Sequence, residues 1–306
     1  APTASSNAVK GIVGGGNTTG GTEVAGMDLI HFASFGQYVD FGDLTQARRA
    51  MAGMNSPTRG VFSAGSDPNL FNIIDYVDFA TLGNAADFGD LSVAHHGAGG
   101  ASSSTRGISG AGNSGSLMTT MEYVTIASTG NSIAWGTFPA GGDYLGGTSN
   151  NSRALWMGAG RAPGHEDDIE YTTIESGGLA LDFGDLTIAG SSKATLSNAH
   201  GGLPEGEPRV LPVGSGRGFF GGGYVPATHY GTIEEIHIPT LGNTADFGDL
   251  ETNRLGMGCA ASATRGMFMG GHVANPYLTE KIESFEMHSR GNGADFGDLT
   301  SARRYG

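Results

Sequence analysis

Asp87-Phe88-Gly89-Asp90-Leu91 is one of five copies of the same pentapeptide in a chain of 306 residues. A degenerate sixth copy at 134–138 fills the gap in the series, and the six copies begin at positions 40, 87, 134, 182, 246 and 295. Successive copies therefore lie 47, 47, 48, 64 and 49 residues apart. Self-similarity at a nearly fixed period of this length predicts a fold built from repeated structural units.

A second repeated motif has the same period. It is a basic residue followed by small and apolar residues, and its copies begin at Lys10, Arg59, Arg106, Arg153, Arg217 and Arg265. Both series contain one longer interval, which places an insertion at about 190–213, between the fourth and fifth units. Since six units and this insertion account for the chain, we expect a single domain over residues 1–306.

Each unit carries the signals of four short strands. In the second unit, residues 60–65 are an apolar run, residues 72–79 are rich in β-branched and aromatic side chains, and a Gly83-Asn84 turn precedes a third run at 90–93. Small residues at 97–103 complete the unit. Four strands in roughly 40 to 50 residues are typical of propeller blades. We therefore predict an all-β fold, a six-bladed β-propeller with four strands per blade.

The two ends of the chain indicate how the ring closes. Residues 300–306 match the start of the small-residue segment of a unit, and residues 1–7 match its end. We expect the N- and C-terminal strands to share one blade, which would leave no open sheet edge at the closure. The 55 glycines fit this fold, because innermost strands converge on the axis and leave room only for small side chains.

Composition excludes several classes of protein. The 30 acidic and 16 basic residues give a net charge of -14, which argues against nucleic acid as a partner. No apolar run approaches the roughly 18 residues of a membrane helix, so we expect no membrane insertion. Cys259, the single cysteine, lies among small residues and is predicted to be a buried small side chain.

Charged residues recur with the repeat. An acid precedes the aromatic position of the third strand in every unit, at Asp28, Asp75, Glu122, Glu170, Glu234 and Glu283. These acids and the bases that begin the second strands could form a ring of ligand-binding charges. Because a catalytic or binding group is needed only once, recurrence favours a structural ion pair between them that fixes the blades in register.

The Asp-x-Gly-Asp pairs, such as Asp87 and Asp90, raise the possibility of calcium. Two carboxylates at this spacing are too few for a site, and the run of alternating acids found in a calcium loop is absent. We therefore predict turns in which the aspartate accepts a hydrogen bond from its own backbone. We predict no metal site and no catalytic residue. Calcium is the one cofactor that we keep as an alternative.

The repeat resembles the kelch family of propellers. The resemblance lies in paired glycines at the end of the second strand, an acid–tyrosine pair in the third, and an aromatic residue further on: Gly222-Gly223, Gly270-Gly271, Asp75-Tyr76, Glu122-Tyr123, Glu170-Tyr171, Phe88, Trp135 and Phe183. It covers essentially the whole chain and implies the fold rather than an activity. The longer wording, Thr-Arg-Gly followed by Gly-Asn-x-x-Asp-Phe-Gly-Asp-Leu, resembles repeats in tail proteins of tailed phages, notably marine ones.

Candidate binding residues lie where the units depart from one another. The loops that join the second and third strands consist mainly of small polar residues in units one to three. In units four to six they contain more tyrosine, histidine and charged residues. The candidates there are Arg161, His165, Glu166, Asp167, Tyr224, His229, Tyr230, His272 and Tyr277. Unit three adds Asp143 and Tyr144, where other units have arginine or small residues, while its Trp135 is expected in the core. Tyrosine and histidine, with an apolar body and a polar tip, are common contact residues.

Three functional hypotheses follow. The first is a non-enzymatic binding or structural propeller, tail-associated in a phage virion or otherwise extracellular, whose partner is a cell-surface glycan or protein or another virion protein. The second, from the resemblance of some kelch propellers to galactose oxidase, is a carbohydrate-active or copper-dependent oxidative enzyme using His229, Tyr230, His272 and Tyr277. The third is an intracellular adaptor, a class that usually carries an additional domain.

Overall fold

The computed structural model describes residues 3–34, 38–161, 164–203, 216–225, 228–274 and 277–304. Within these residues every regular element is a β-strand, and six sheets with four main antiparallel strands each form the blades. Each blade follows the chain from its innermost to its outermost strand. The all-β, six-bladed propeller predicted from the repeat period is therefore confirmed.

The strands of the blades have the following bounds. Blade 1 consists of β1 (Thr3–Ser6), β2 (Lys10–Gly14), β3 (Gly26–His31) and β4 (Val39–Asp43), and blade 2 of β5 (Ala52–Asn55), β6 (Arg59–Ser63), β8 (Asn69–Asp78) and β9 (Ala86–His95), with β7 (Ser66–Asp67) beside β8. Blade 3 consists of β10 (Gly99–Ser102), β11 (Arg106–Gly110), β12 (Thr120–Thr125) and β13 (Ile133–Thr137), and blade 4 of β14 (Gly146–Ser149), β15 (Arg153–Met157), β18 (Asp168–Thr173) and β20 (Leu181–Asp185). Blade 5 consists of β21 (Ala194–Ser197), β22 (Arg217–Val225), β23 (Thr228–His237) and β24 (Ala245–Asp249), and blade 6 of β26 (Gly258–Ala261), β27 (Arg265–Met269), β29 (Lys281–Glu286) and β30 (Ala294–Asp298). Short strands lie in the loops: β16 (Gly160–Arg161), β17 (Gly164–His165), β19 (Gly178–Leu179), β25 (Arg254–Leu255) and β28 (His272–Val273).

The ring closes between blades 6 and 1. The inner strands contact one another in the order β1, β5, β10, β14, β21, β26 and back to β1. All four strands of blade 1 come from the N-terminal end of the chain, and the C-terminal residues join it as a connecting segment. Thr300 donates a hydrogen bond to Asp28, Arg303 forms an ion pair with the same carboxylate, and Arg304 forms a β-bridge with Asn17. Both ends thus meet at one blade as predicted, but among the described residues only the N-terminal end supplies strands to it.

The hydrophobic core is divided into six clusters, each shared by two neighbouring blades. Phe41 and Leu44 of blade 1, for example, pack with Phe62 and Val77 of blade 2. Trp135 packs against the cluster between blades 3 and 4, in agreement with its expected core role. Because apolar burial is the main favourable term in folding, this arrangement makes each blade depend on its neighbours.

Backbone-to-backbone contact surrounds the axis. A Cβ added to Gly53, Gly100 or Gly147 would lie closer than 3.0 Å to the backbone of the preceding inner strand, so only glycine fits there. At the same place in the next two blades, Thr195 donates a hydrogen bond to the carbonyl of Gly147 (2.7 Å), and the Cys259 thiol donates to the carbonyl of Thr195 (3.0 Å). Burial raises the pKa of the Cys259 thiol to about 12, so this side chain is unreactive near neutral pH.

A second backbone contact joins the blades at the rim, and it explains both the Asp-Phe-Gly-Asp and the Gly-Asn motifs. The amide of Gly130 in blade 3 donates to the carbonyl of Phe88 in blade 2 (2.7 Å), and Asn131 Oδ1 accepts from the amide of Asp90 (3.1 Å). A Cβ on Gly89, whose φ is +146°, would overlap the backbone of Gly130. The same contacts link blades 1 and 2, 4 and 5, and 5 and 6. We call this contact the rim clasp.

Residues 198–203, the described part of the insertion that follows β21, lie across one end of the central channel, and we call them the plug. His200 Nδ1 lies 3.2 Å from Asn55 Oδ1 of blade 2, and His200 Nε2 lies 2.8 Å from the carbonyl oxygen of Ala261 of blade 6. Two axial cavities of about 60 and 50 Å³ remain, enough for a few water molecules but not for a ligand. The rest of the insertion, residues 204–213, lies outside the described residues.

The predicted ion pair between third-strand acids and second-strand bases is wrong. In the strand ladder Arg59 lies opposite Asp78, three residues beyond Asp75. The acids pair instead with cations of the segment that enters their blade: Asp75 with Arg48, Glu234 with Lys193, Glu283 with Arg254 and Asp28 with Arg303. Blade 4 uses Arg161, 3.7 Å from Glu170, and in blade 3 Glu122 accepts hydrogen bonds from Ser92 and Ser132.

The second-strand bases contact the following blade in another way. The Arg106 guanidinium lies over the Tyr123 ring, 5.0 Å from its centroid, and donates to the carbonyls of Ile174 (3.1 Å) and Glu175 (2.7 Å) in blade 4. The guanidinium thus joins two blades through carbonyl groups and an aromatic ring instead of through a buried carboxylate.

Replacing Gly100 with alanine tests the axial contacts. The added Cβ would overlap the backbone of Gly53, so neighbouring blades would have to move apart, and we expect a loss of about 1–3 kcal/mol in the free energy of unfolding. Gly26→Ala is the matched control, because a Cβ there meets no atom within 4 Å. Chemical denaturation measures both variants, and equal stability of the two would contradict the packing argument.

Replacing Arg254 with methionine tests the buried ion pair. Arg254 and Glu283 are fully buried and 2.7 Å apart, so the variant leaves a buried carboxylate without its cation and should lose about 3–5 kcal/mol. Arg106→Met removes carbonyl hydrogen bonds, a ring contact and a solvent-exposed ion pair with Glu175 (3.6 Å), and we expect a loss of about 1–2 kcal/mol. Urea denaturation measures both variants. A larger loss of stability in Arg106→Met than in Arg254→Met would favour ion pairs between the third-strand acids and the second-strand bases.

Candidate functional site

The loops that join second and third strands lie on one face of the ring together with the segments that connect successive blades. Each connecting segment pairs with such a loop, as His96 pairs with Asn113, Asp143 with Gly160, and Ser191 with Tyr224. The plug lies at the other end of the axis, where first strands end and second strands begin. We call the first surface the loop face, and all the candidate residues from the sequence belong to its loops and segments.

The structure brings five of the candidates together in one row of rings on blades 4, 5 and 6. His165 contacts Tyr224 with centroids 5.5 Å apart, Tyr224 lies 6.2 Å from His229, and His229 meets His272 edge to face at 5.0 Å. Tyr277 follows His272 at 6.1 Å. We call these residues the aromatic row. Their contacts join three blades, so the row has a defined shape.

The row is half-buried, and its surroundings favour the neutral form of two of its histidines, His229 and His272. Burial lowers the pKa of His229 below its usual value, and burial together with the nearby Arg304 and His229 lowers the pKa of His272. A neutral imidazole offers one donor and one acceptor. Tyr277 at the end of the row is 63% exposed.

Two features of the row resemble those of binding sites. Among the described residues, Nδ1 of His165 and Nδ1 of His272 are shielded from solvent and have no hydrogen-bond partner. Buried polar atoms are usually paired, and a ligand atom is one way to complete them. Tyr277 has a φ of +84°, a conformation that is rare for a bulky side chain and concentrates at functional sites.

Tyr230 is placed differently from the other candidates. It is 8% exposed, its ring lies under the Lys193 ammonium at 4.7 Å, and Lys193 forms an ion pair with Glu234 at 2.8 Å. Burial raises the pKa of Tyr230. Its side chain therefore supports the loop from beneath and does not belong to the exposed part of the row.

The charged candidates of unit four lie beside the row. Arg161 donates to the carbonyl of Gly141 (3.0 Å) and lies 3.6 Å from Asp168, so its guanidinium is held against the loop. The backbone amide of Glu166 donates to the carbonyl of Ala159 (3.1 Å), which fixes the loop. Asp167 is exposed.

An acidic cluster adjoins these residues. Carboxylate oxygens of Asp167, Asp168 and Asp185 lie within 4.8 Å of one another, and this is the one group among the described residues that could hold a metal ion through three His, Cys, Asp or Glu ligands. All three are exposed. Elsewhere, the carboxylates of Asp40 and Asp87 accept the predicted hydrogen bonds from the amides two residues on, but both residues lie at irregularities of the strands β4 and β9 instead of in turns. The absence of a metal site stays a prediction, with calcium as the alternative.

Asp143 and Tyr144 lie nearer the axis and outside the row. The Tyr144 ring meets His96 edge to face at 5.6 Å, and its carbonyl accepts from the amide of Ser192 (3.2 Å). Asp143 accepts from the side chain of Asn113 at 3.4 Å. His96 is not among the candidates predicted from the sequence. The equivalent positions hold Arg49 and Asp143 in neighbouring units, so the repeat itself gives no signal for it.

Comparison with known families and proteins gives no match. No family model matches the chain, and no curated protein is significantly similar to it. Within the described residues, no helix is long and apolar enough to cross a membrane.

Acidification tests the neutral state of the histidines. Because the pKa of His229 and of His272 is lowered in the folded protein, the unfolded chain binds protons near pH 6.5 and the folded protein binds them only at lower pH. We expect the free energy of unfolding to have its highest value above about pH 6.5 and to decrease as the pH is lowered towards about 5.

The measurement is urea denaturation across this pH range. A variant with both His229→Gln and His272→Gln should show a shallower decline than the wild type. His31→Gln, at an exposed position, controls for the loss of a histidine. An equally steep decline in the double variant would show that these two histidines do not remain neutral on folding.

Proposed function

We propose that the protein is a non-enzymatic recognition module whose aromatic row binds a glycan. The observation that carries the proposal is the continuous contact of His165, Tyr224, His229, His272 and Tyr277 across three blades. A sugar presents both apolar C–H faces and hydroxyl groups. Tyrosine rings pack against the first, and neutral imidazoles donate to and accept from the second.

The negative charge of the protein bears on whether the glycan is charged or neutral. The chain has a net charge of -14, and the acidic cluster of Asp167, Asp168 and Asp185 lies close to one end of the row. Like charges repel, which disfavours sulfated or sialylated chains. We therefore propose a neutral glycan as the partner.

The scaffold supports a recognition role. Rim clasps, axial contacts and shared cores hold the blades together, and departures from the repeat are concentrated in the loops, where binding residues commonly lie on rigid folds. The resemblances to kelch propellers and to phage tail repeats support a location on a virion, tail-associated, or on another extracellular surface. A protein receptor or a neighbouring virion protein is the alternative partner for the same row.

A second candidate function is a metal-dependent oxidative enzyme acting on carbohydrate. The observation that favours it is the close approach of His229 and His272, whose ring centroids are 5.0 Å apart, with Tyr224 and Tyr277 next to them. Imidazole nitrogens and phenolate oxygens are ligands that suit copper. Stoichiometric copper in the purified protein together with oxidase activity would favour this function over the recognition module.

A glycan array with matched variants tests the proposed function. We expect wild-type binding to a neutral glycan, and a loss of tenfold or more in affinity, about 1.4 kcal/mol or more, in Tyr224→Ala and in Tyr277→Ala. Leu117→Ala is the control, because Leu117 is an exposed side chain in the corresponding loop of blade 3. Its binding should equal that of the wild type.

Two outcomes would contradict the proposal. One is glycan binding that is unchanged in both tyrosine variants. The other is the absence of binding to every neutral glycan, together with retention of a virion or receptor protein by the wild type but not by Tyr224→Ala, which would assign the row to a protein partner. Thermal unfolding of each variant separates loss of the ligand contact from loss of the fold.

A further inference from the structure

The segments that connect successive blades meet around the axis on the loop face. The amide of Gly97 donates to the carbonyl of Ala50 (2.8 Å), the amide of Ser192 to that of Tyr144 (3.2 Å), and the amide of Gly256 to that of Ser192 (3.2 Å). Each of these residues lies two positions before the inner strand of its blade. They therefore surround the mouth of the central channel on the loop face, and we call them the mouth ring.

Tyr144 is the bulky member of the mouth ring. All five members have a left-handed backbone, with φ angles of +55° at Ala50, +70° at Gly97, +51° at Tyr144, +56° at Ser192 and +61° at Gly256. Glycine adopts this conformation freely, whereas it is an outlier for a bulky side chain. Tyr277 of the aromatic row is the one other bulky residue with a positive φ among the described residues. Since the ring is held by backbone hydrogen bonds, it does not need the tyrosine side chain.

His96 lies beside Tyr144, and we call these two residues the inner pair. Their rings meet edge to face with centroids 5.6 Å apart, and both side chains are half-buried. His96 Nδ1 is shielded from solvent and has no hydrogen-bond partner among the described residues. The inner pair thus resembles the end of the aromatic row, where Tyr277, with its positive φ, lies next to His272, whose Nδ1 also lacks a partner there.

One short segment separates the inner pair from the aromatic row. Ser191 and Tyr224 exchange two backbone hydrogen bonds (3.1 and 3.0 Å), and the next residue, Ser192, donates to the carbonyl of Tyr144. Tyr144 and Tyr224 therefore lie on opposite sides of the same dipeptide. Since chains paired in this way lie roughly 5 Å apart, the Cα atoms of the two tyrosines are within about 15 Å of each other. This distance suits a short oligosaccharide.

We propose that the inner pair is a second subsite for the glycan of the aromatic row, so that the ligand is a neutral oligosaccharide that runs from the row to the axial mouth. This subsite depends on the proposed function, because the row holds the other end of the same sugar chain. The Tyr144 ring offers an apolar face to sugar C–H groups, and a sugar hydroxyl at His96 would give Nδ1 the partner that it lacks. Asp143, adjacent to Tyr144, adds a carboxylate that accepts hydrogen bonds from hydroxyl groups and repels an anionic sugar.

Calorimetric titration with sugars of increasing length tests the proposal on the full chain. The probes are neutral gluco-, manno-, galacto- and N-acetylgluco-oligosaccharides from the monosaccharide to the pentasaccharide, and the tightest neutral array glycan with its shortened fragments. For a series that binds, we expect the affinity to rise with length until both subsites are filled. Tyr144→Ala should weaken binding of the longest sugar at least about fivefold and leave that of the monosaccharide within about twofold of the wild type. Tyr224→Ala should weaken binding at every length.

The variants at the inner pair are chosen to keep the fold. Alanine and serine already occupy the mouth ring at Ala50 and Ser192, so Tyr144→Ala should keep the melting temperature of the wild type. Tyr144→Phe is the matched control, because it retains the ring and should bind long sugars like the wild type. His96→Gln is a second variant, and it should weaken binding of the longer sugars only.

Two results would overturn the second subsite. One is wild-type affinity that does not rise beyond the monosaccharide, and the other is long-sugar binding that Tyr144→Ala leaves unchanged. In either case, loss of sugar binding in Tyr224→Ala would leave the proposed function of the row intact. If none of the probes binds to the wild type, the proposed function and the second subsite fail together.

Discussion

Neighbouring blades of this propeller touch through their backbones, at the axis and again at the rim. At the axis the carbonyl of one inner strand occupies the space where the next strand would carry a Cβ, as at Gly53 and Gly100. At the rim, the Gly130-Asn131 turn of the next blade packs against Gly89, which has no side chain to block it. Two contacts at different radii fix both the distance and the angle between blades. The shared apolar clusters and the buried cations of the connecting segments need the same spacing between blades.

The repeat period is sufficient to predict the fold, because each unit must bury its faces against copies of itself. The contacts between units are harder to predict. The Asp-Phe-Gly-Asp and Gly-Asn motifs look like separate turns in the sequence, yet they are the two halves of one clasp. The sequence contains a signal for this: blade 3 lacks the first half, and blade 4, its neighbour, lacks the second, where Gly136 pairs with Gly178 in parallel. The predicted ion pairs are wrong because equal periodicity in acids and bases does not give the strand register, which places Asp78 opposite Arg59.

The candidate site is predictable in its location but not in its contacts. Loops richer in tyrosine and histidine are visible in units four to six, and the structure places five of these residues in one row. The burial of Tyr230 could not be predicted, because its ring contacts Lys193 and its hydroxyl lies close to Gly190. Both residues belong to the segment that enters blade 5, and this segment lacks the arginine that blade 2 has at Arg48. Ring contacts between different blades depend on loop conformations that no periodicity specifies.

Six copies of one unit make each departure from the repeat interpretable, because the other copies show what the position normally does. Some departures are compensated inside the molecule. Glu235 replaces a tyrosine and gains Arg217 and Arg290 as partners, and Lys193 takes over the role of the missing arginine. Others leave polar atoms without a hydrogen-bond partner in the described residues: Nδ1 of His165 and Nδ1 of His272. Compensated departures preserve the ring, whereas uncompensated ones leave buried polar atoms that a ligand atom would complete, and these are the positions where function should be sought.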